Sequence, residues 1–127
     1  MIIPKGSTQT AIDRRGEIIE QKLTSLPVKI FDCPCLGSNV YLTYNGIKEI
    51  AHWAKLSYYS TQAAIDLPHQ LKIAKFYASS KPKPGQRKRF GFVVMFELHG
   101  RYGRKTTKIM VGARRKGKHL QYCITAI

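Results

Sequence analysis

Three alternating runs at the C-terminal end constrain this chain more than any other stretch: RFGFVVMFELHG, RYGRKTTKIMVGA and RRKGKHLQYCITAI. Phe90, Phe92, Val94, Phe96 and Leu98 alternate with more polar neighbours. Thr107, Ile109, Val111 and Ala113 do the same, as do Leu120, Tyr122, Ile124 and Ala126. Side chains on a strand switch faces with period two, and the intervening loops carry Gly and basic residues, so the spacing predicts a three-stranded antiparallel meander. One face is apolar and must be covered. The other gathers His99, Lys108, Arg114, His119, Gln121 and Thr125, and function is expected there.

Upstream, the pattern changes. From Thr10 to Leu26 the residues Ile12, Ile19, Leu23 and Leu26 fall near one helical face, although Gly16 interrupts it. The stretch Leu26–Asp32, a turn at Cys33–Asn39 and Val40–Tyr44 read as a strand pair, with Val28 and Ile30 alternating against Lys29 and Phe31. Ile47, Ile50, Ala51 and Ala54 then recur at helical spacing. A short helix is expected over Gln62–Leu67. Another follows from Pro68, with Leu71, Ala74, Tyr77 and Ala78 as its buried face. Ser79–Arg89, with two prolines and a glycine, reads as a mobile basic loop. These readings predict an α+β fold, with two or three short helices on one face of an antiparallel sheet of four to five strands. Residues 1–25 form an N-terminal extension or docking helix, and residues 26–127 the domain.

Charge narrows the choice of partner. The chain of 127 residues carries a net charge of +15. Residues 1–66 hold 7 basic and 6 acidic side chains, whereas residues 67–127 hold 15 basic residues and a single acid, Glu97. So uneven a charge is self-repelling unless it meets a polyanion, which points to nucleic acid. The basic residues fall on strands and loops rather than on an amphipathic helix, and no apolar run reaches membrane-spanning length, so no membrane role is expected. An odd cysteine count and the lack of a secretory leader pattern predict a cytoplasmic chain without a disulfide framework. Cys33 and Cys35 read as unligated thiols, since a CxC pair lacks the further ligands of a metal site.

No Gly-rich phosphate loop, HExxH or GxSxG is present. Five of the seven carboxylates lie in the first 49 residues, which leaves little for a two-metal nuclease, so neither metal nor cofactor is expected. The chemistry open to this residue set is metal-independent cleavage of RNA through the 2′-hydroxyl, using histidine for proton transfer and cations for phosphate charge. His52 is the candidate acid or base, flanked on its helix by Lys48 and Lys55. Lys48, Lys108 and Arg114 are candidate phosphate and transition-state contacts, helped by Thr125. Lys81, Lys83, Arg87, Lys88 and Arg89, with Arg115, Lys116 and Lys118 in the last hairpin loop, are candidate backbone-binding cations. Trp53 and the Tyr58–Tyr59 pair either stack bases or pack between helices.

The order of a strand, NGIKEIAHWA, LPHQLKIAKFYASS, a basic loop and a closing HLQYCITAI resembles the barnase/EndoU/colicin/RelE-like nuclease superfamily, in particular its phage- and mobile-element-associated domains. The resemblance covers Val28–Ile127. It implies a small metal-independent ribonuclease or tRNase toxin, acting on the open sheet face and met by an acidic antitoxin or immunity protein. Lys48, Glu49 and His52 match its helix motif, and Tyr122, Cys123 and Ile124 its closing strand. Cys123 stands where a serine or threonine is commoner, with Thr125 as its substitute. The alternative from another class is a non-catalytic module of the same fold that binds nucleic acid or docks an acidic partner.

Overall fold

The structure is a computed structural model that describes residues 2–127. Thr8 caps the first helix, α1 (Gln9–Thr24), by accepting from Ala11 N at 3.2 Å. A hairpin follows: β1 (Ile30–Cys33), a 3₁₀ turn at Pro34–Leu36, and β2 (Ser38–Tyr41). Thr43 caps α2 (Tyr44–Ala54) and Ser57 caps α3 (Tyr58–Ile65), each through its side chain to the residue three further on. Then come α4 (Leu67–Ile73), β3 (Lys75–Ser80), α5 (Pro84–Phe90), and the long strands β4 (Phe92–Tyr102), β5 (Lys105–Arg114) and β6 (His119–Ala126).

The fold is α+β. One six-stranded sheet has the order β1-β2-β6-β5-β4-β3, antiparallel throughout except for a short parallel pairing of β2 with β6. The predicted meander is its centre. The sheet is wider and more mixed than expected, because β3 and the β1–β2 hairpin extend it on either side. The apolar stripe of α2 is buried together with Leu23 of α1, Ala63 and Ala64 of α3, and Leu67 and Leu71 of α4. All pack on Leu98, Ile109, Val111 and Ile124 of the meander. Among the described residues no helix is long and apolar enough to cross a membrane.

Residues 1–25, read as an extension or docking helix, pack on the rest of the chain: Ile18, Ile19 and Leu23 are buried, and so is the whole of Arg15. Its guanidinium donates to the carbonyls of Lys55 (2.7 Å), Gly6 (2.8 Å) and Pro4 (3.0 Å), tying the lead-in and α1 to the end of α2. Four expectations need correction. The helix expected to reach Ala78 stops at Ile73. β4 would otherwise present a long unpaired edge, and pairing with β3 satisfies it, outweighing a helical apolar period. Ser79–Arg89 is largely ordered. Pro84 opens α5, Gln86 accepts from the Lys83 N–H at 2.8 Å, and Gly91 ends the helix in the left-handed region at φ 71°.

In β1 it is Phe31 and Cys33 that are buried, while Val28 and Ile30 are exposed. Finally, bulges change the alternation of the meander. Register shifts between Phe92 and Val94 and opposite Tyr122 leave Phe92, Met95, Leu120 and Tyr122 grouped with Phe90, away from the main core. Gln121, expected on the polar face, is fully buried instead, and its amide bridges the Met110 and Cys123 carbonyls at 3.3 and 3.0 Å. His119 also lies on the helix-covered side. Its ring tilts onto Phe96 at 5.6 Å and its Nδ1 meets Ser38 Oγ at 2.8 Å, and burial lowers the imidazole below its ordinary value.

Candidate functional site

The face of the sheet turned away from α1–α4 carries a cleft of about 590 Å3. Its floor is made by alternate residues of the meander: Met95 and Glu97 from β4, Lys108 and Met110 from β5, Cys123 and Thr125 from β6. Trp53 of α2 and Tyr122 close one side, and Lys81, Lys83, Gln86 and Arg89 form the rim above it. Helix α5 covers the adjoining part of the face, holding it down through buried Phe90 against Phe92, with the rings stacked at 5.2 Å.

Strand register sets the chemistry. His99 stands opposite Lys108, which stands opposite Thr125, giving a row of three polar side chains across β4, β5 and β6. Residues directly opposite in antiparallel strands have Cβ atoms about 4.5–5.5 Å apart, so these side chains can converge on one small group. Glu97, two residues before His99 and hence on the same face, accepts from His99 Nε2 at 2.6 Å. The same imidazole stacks on Tyr77 of β3 at 4.1 Å, and so is held from its edge and from one face.

A second group lies where α2 runs beside β6. Glu49 is buried. It accepts from Trp53 Nε1 at 2.7 Å and from Arg89 Nη1 at 3.3 Å, pairing with the guanidinium and bridging α2 to α5. A smaller cleft of about 450 Å3 lies beyond this bridge, lined by Lys48, Glu49, His52, Trp53, Arg89 and Tyr122. Three of these residues also line the main cleft, so the Glu49–Arg89 pair stands between the two hollows. Burial raises the Tyr122 phenol, with the charge of Glu49 adding to the shift. Burial, reinforced by the same carboxylate, pushes the Cys123 thiol up to about 12. Both groups stay protonated at neutral pH.

Of the residues singled out from the sequence, Lys108 and Thr125 are neighbours on the cleft floor. Lys81, Lys83 and Arg89 sit on its rim. His52 is exposed in the smaller cleft, edge-on to Trp53 at 4.9 Å. Lys48, beside it, is hydrogen-bonded to Glu20 of α1, which raises its ammonium. Arg114 does not join Lys108, contrary to expectation. Six residues further along β5, it is about 20 Å away at ~3.3 Å per residue, and its Nε donates to the Phe90 carbonyl at 2.8 Å, bracing the end of α5. Arg87 and Arg115 flank a separate hollow next to Gly91. Lys88 is exposed on α5. Lys116 and Lys118 belong to the β5–β6 turn, where Lys118 lies over the Tyr41 ring. The basic set is therefore spread over the cleft rim, α5 and the β5–β6 turn.

The site residues absent from the sequence reading are Glu97, as the partner of His99, and Glu49, as the anchor of Arg89 and Trp53. Both were legible in spacing: Glu97 and His99 at strand period two, and Glu49 and Trp53 at helical i,i+4. Cys33 and Cys35 are free thiols with sulfurs 3.8 Å apart. Among the described residues no three His, Cys, Asp or Glu side chains group closely enough to hold a metal ion. Comparison of the chain with models of known protein families, with curated proteins and with solved structures finds no match in any of the three.

Proposed function

We propose that the open sheet face is the active surface of a metal-independent endoribonuclease, of the kind the barnase/EndoU/colicin/RelE-like resemblance implies. The observation that carries this reading is the in-register row His99–Lys108–Thr125: Lys108 and Thr125 lie on the floor of a cleft rimmed by lysine and arginine, and His99 stands beside Lys108 in the adjoining hollow lined by Lys75 and Arg101. Cleavage through the 2′-hydroxyl needs a group to take its proton, cations for the crowded phosphate, and a donor for the departing oxygen.

His99, oriented by Glu97, takes the proton from O2′ as this oxygen attacks phosphorus. Lys108 balances the added charge on the phosphate, and the Thr125 hydroxyl donates to a non-bridging oxygen. The P–O5′ bond breaks, and Tyr122, whose phenol is protonated at neutral pH, faces the leaving oxygen from the β6 side as proton donor. The products are a 2′,3′-cyclic phosphate and a 5′-hydroxyl. Arg89, fixed by Glu49, and the rim residues Lys81 and Lys83 hold neighbouring phosphates.

The test is cleavage of labelled tRNA and single-stranded RNA in EDTA, comparing wild type with His99→Ala, Lys108→Ala and His52→Ala. Cuts with cyclic-phosphate ends are expected, reduced about 10²- to 10⁴-fold by His99→Ala. Retention of full activity by both His99→Ala and Lys108→Ala would move the chemistry elsewhere. Salt-sensitive binding with no cut in any lane would leave a nucleic-acid-binding module.

A further inference from the structure

Two exposed aromatic rings stand at opposite ends of this face, and neither belongs to a hydrophobic core cluster. Trp53 is 45% exposed and lines the cleft from the α2 side. Its Nε1 is fixed by Glu49 at 2.7 Å, and the edge of His52 abuts it, so the indole cannot turn freely. Tyr77 is 64% exposed on β3. It occupies the register shift between Phe76 and Ala78, which aims its ring onto His99 at an interplanar angle of 17° and leaves the outer face of the ring open. Single apolar side chains on a surface are ordinary. Two immobilised rings flanking one cationic cleft are not, because their ordering cost is already met before a ligand arrives.

We infer that this face selects unpaired RNA by stacking one base on Trp53 and another on Tyr77, with Lys108 between them holding the intervening phosphate. The inference rests on the proposed reading of the face as an RNA site and names the form of RNA that the site takes. Strand spacing supplies the argument. From β6 to β3 is three inter-strand steps, about 14 Å at ~4.8 Å each, and Trp53 lies outside β6. Stacked bases lie ~3.4 Å apart, so the two rings cannot hold neighbouring stacked bases. The strand must run across the β-strands, unstacked, with its bases splayed onto the rings. A duplex cannot do this, since its bases are stacked and turned inward.

Trp53 is the sole tryptophan, so its emission reports on its own stacking. The probe is a short 2′-O-methyl oligouridine, which lacks the free 2′-hydroxyl and therefore binds without being cut. It should quench Trp53 emission, and annealing it to its complement should abolish the quench. By anisotropy of the labelled probe, Trp53→Leu and Tyr77→Leu should each weaken binding about 10- to 100-fold, and Trp53→Phe should fall in between. Tyr77 is largely exposed, so Tyr77→Leu should unfold at the wild-type temperature; Trp53→Leu also removes a donor from buried Glu49, so binding is compared at a temperature where thermal unfolding shows both variants folded. Equal affinity for duplex and single strand, or unchanged affinity in both leucine variants, overturns the inference. If RNA is still cut in that case, stacking falls and the nuclease reading stands. If quenching and the affinity losses appear but no RNA is cut, the inference holds and the nuclease reading falls. Failure of the probe to bind at all overturns the inference, and the nuclease reading then stands or falls on the cleavage of RNA.

Discussion

Gly46 sits in the first turn of α2, where the helix passes close to β6. A Cβ at this position would lie 2.8 Å from the Gln121 carbonyl oxygen and 3.3 Å from Thr43 Oγ1. In an unpacked helix the change from glycine to alanine gains up to about 1 kcal/mol. Here the contact is with backbone in the sheet, so relief requires α2 to move outward as a body, and overpacking of this kind costs roughly 1–3 kcal/mol. Gly46→Ala should therefore be net destabilising by about 1–2 kcal/mol, lowering Tm by roughly 3–8 °C for a chain of this size. Gly16 of α1 is the control with the opposite sign. A Cβ there would meet Lys55 Cδ at 3.2 Å, part of a flexible side chain that can swing aside, and Lys55 Cβ at an ordinary contact distance of 3.7 Å. Gly16→Ala should keep most of the propensity gain and be neutral to about 1 kcal/mol stabilising. Thermal and urea unfolding of both variants decide the matter. If Gly46→Ala is as stable as wild type, or if Gly16→Ala loses as much, the close seating of α2 on β6 is refuted.

Deleting residues 1–25 uncovers the surfaces that Ile18, Ile19 and Leu23 bury, at about 1.5–3 kcal/mol each, a loss comparable to the whole stability of a small domain. The truncated chain should show no cooperative urea transition; a wild-type midpoint would contradict the packing of α1. His119 takes up its proton later in the folded chain than in the unfolded one, because burial lowers it below 6.5. Stability should thus fall as pH drops through about 6.5 and level off below the folded value, and His119→Gln should flatten that part of the urea-midpoint profile. Burial pushes the Cys33 and Cys123 thiols up to about 12, so iodoacetamide at mildly alkaline pH should spare both until urea is added. Rapid labelling of either in the native protein, read by peptide mass spectrometry, would be inconsistent with these positions.

The parts of the fold that were legible are those where local pattern and tertiary environment agree. The meander follows from period two, and the α2 stripe from period 3.6. Legibility failed where a long-range demand overrode the local signal. The residues Leu71, Ala74 and Tyr77 keep helical spacing, yet β4 needs an edge partner and takes Lys75–Ser80 as β3. Around Tyr122 a single extra residue exchanged the faces of Gln121 and Tyr122, and strict alternation carries no mark of such a bulge. At the site, cations drew attention because the chain is so rich in them. The two carboxylates beside the cleft, Glu49 and Glu97, were legible in their spacing to Trp53 and His99 but were passed over among so many cations, and only folding brings Arg89 to the first.

The short parallel contact between β2 and β6 divides the sheet into two unequal parts. It consists of two paired positions, Val40 with His119 and Tyr41 with Leu120, and it closes a loop of 79 residues. Closing a flexible loop of that length costs on the order of 4 kcal/mol before any contact is made, whereas the hairpins β4–β5 and β5–β6 close almost at once. The meander should therefore assemble first and the β1–β2 hairpin dock late, with the loosest ladder of the sheet at this seam. Helix α2 begins three residues beyond that seam and carries Glu49, His52 and Trp53. One wall of the cleft is consequently built on the late-docking, easily reopened part, and the other on the early and rigid one. Native-state hydrogen exchange should find the amides of β2 and the start of α2 opening at a fraction of the free energy required in β5, which would make the cleft a seam that breathes rather than a fixed mould.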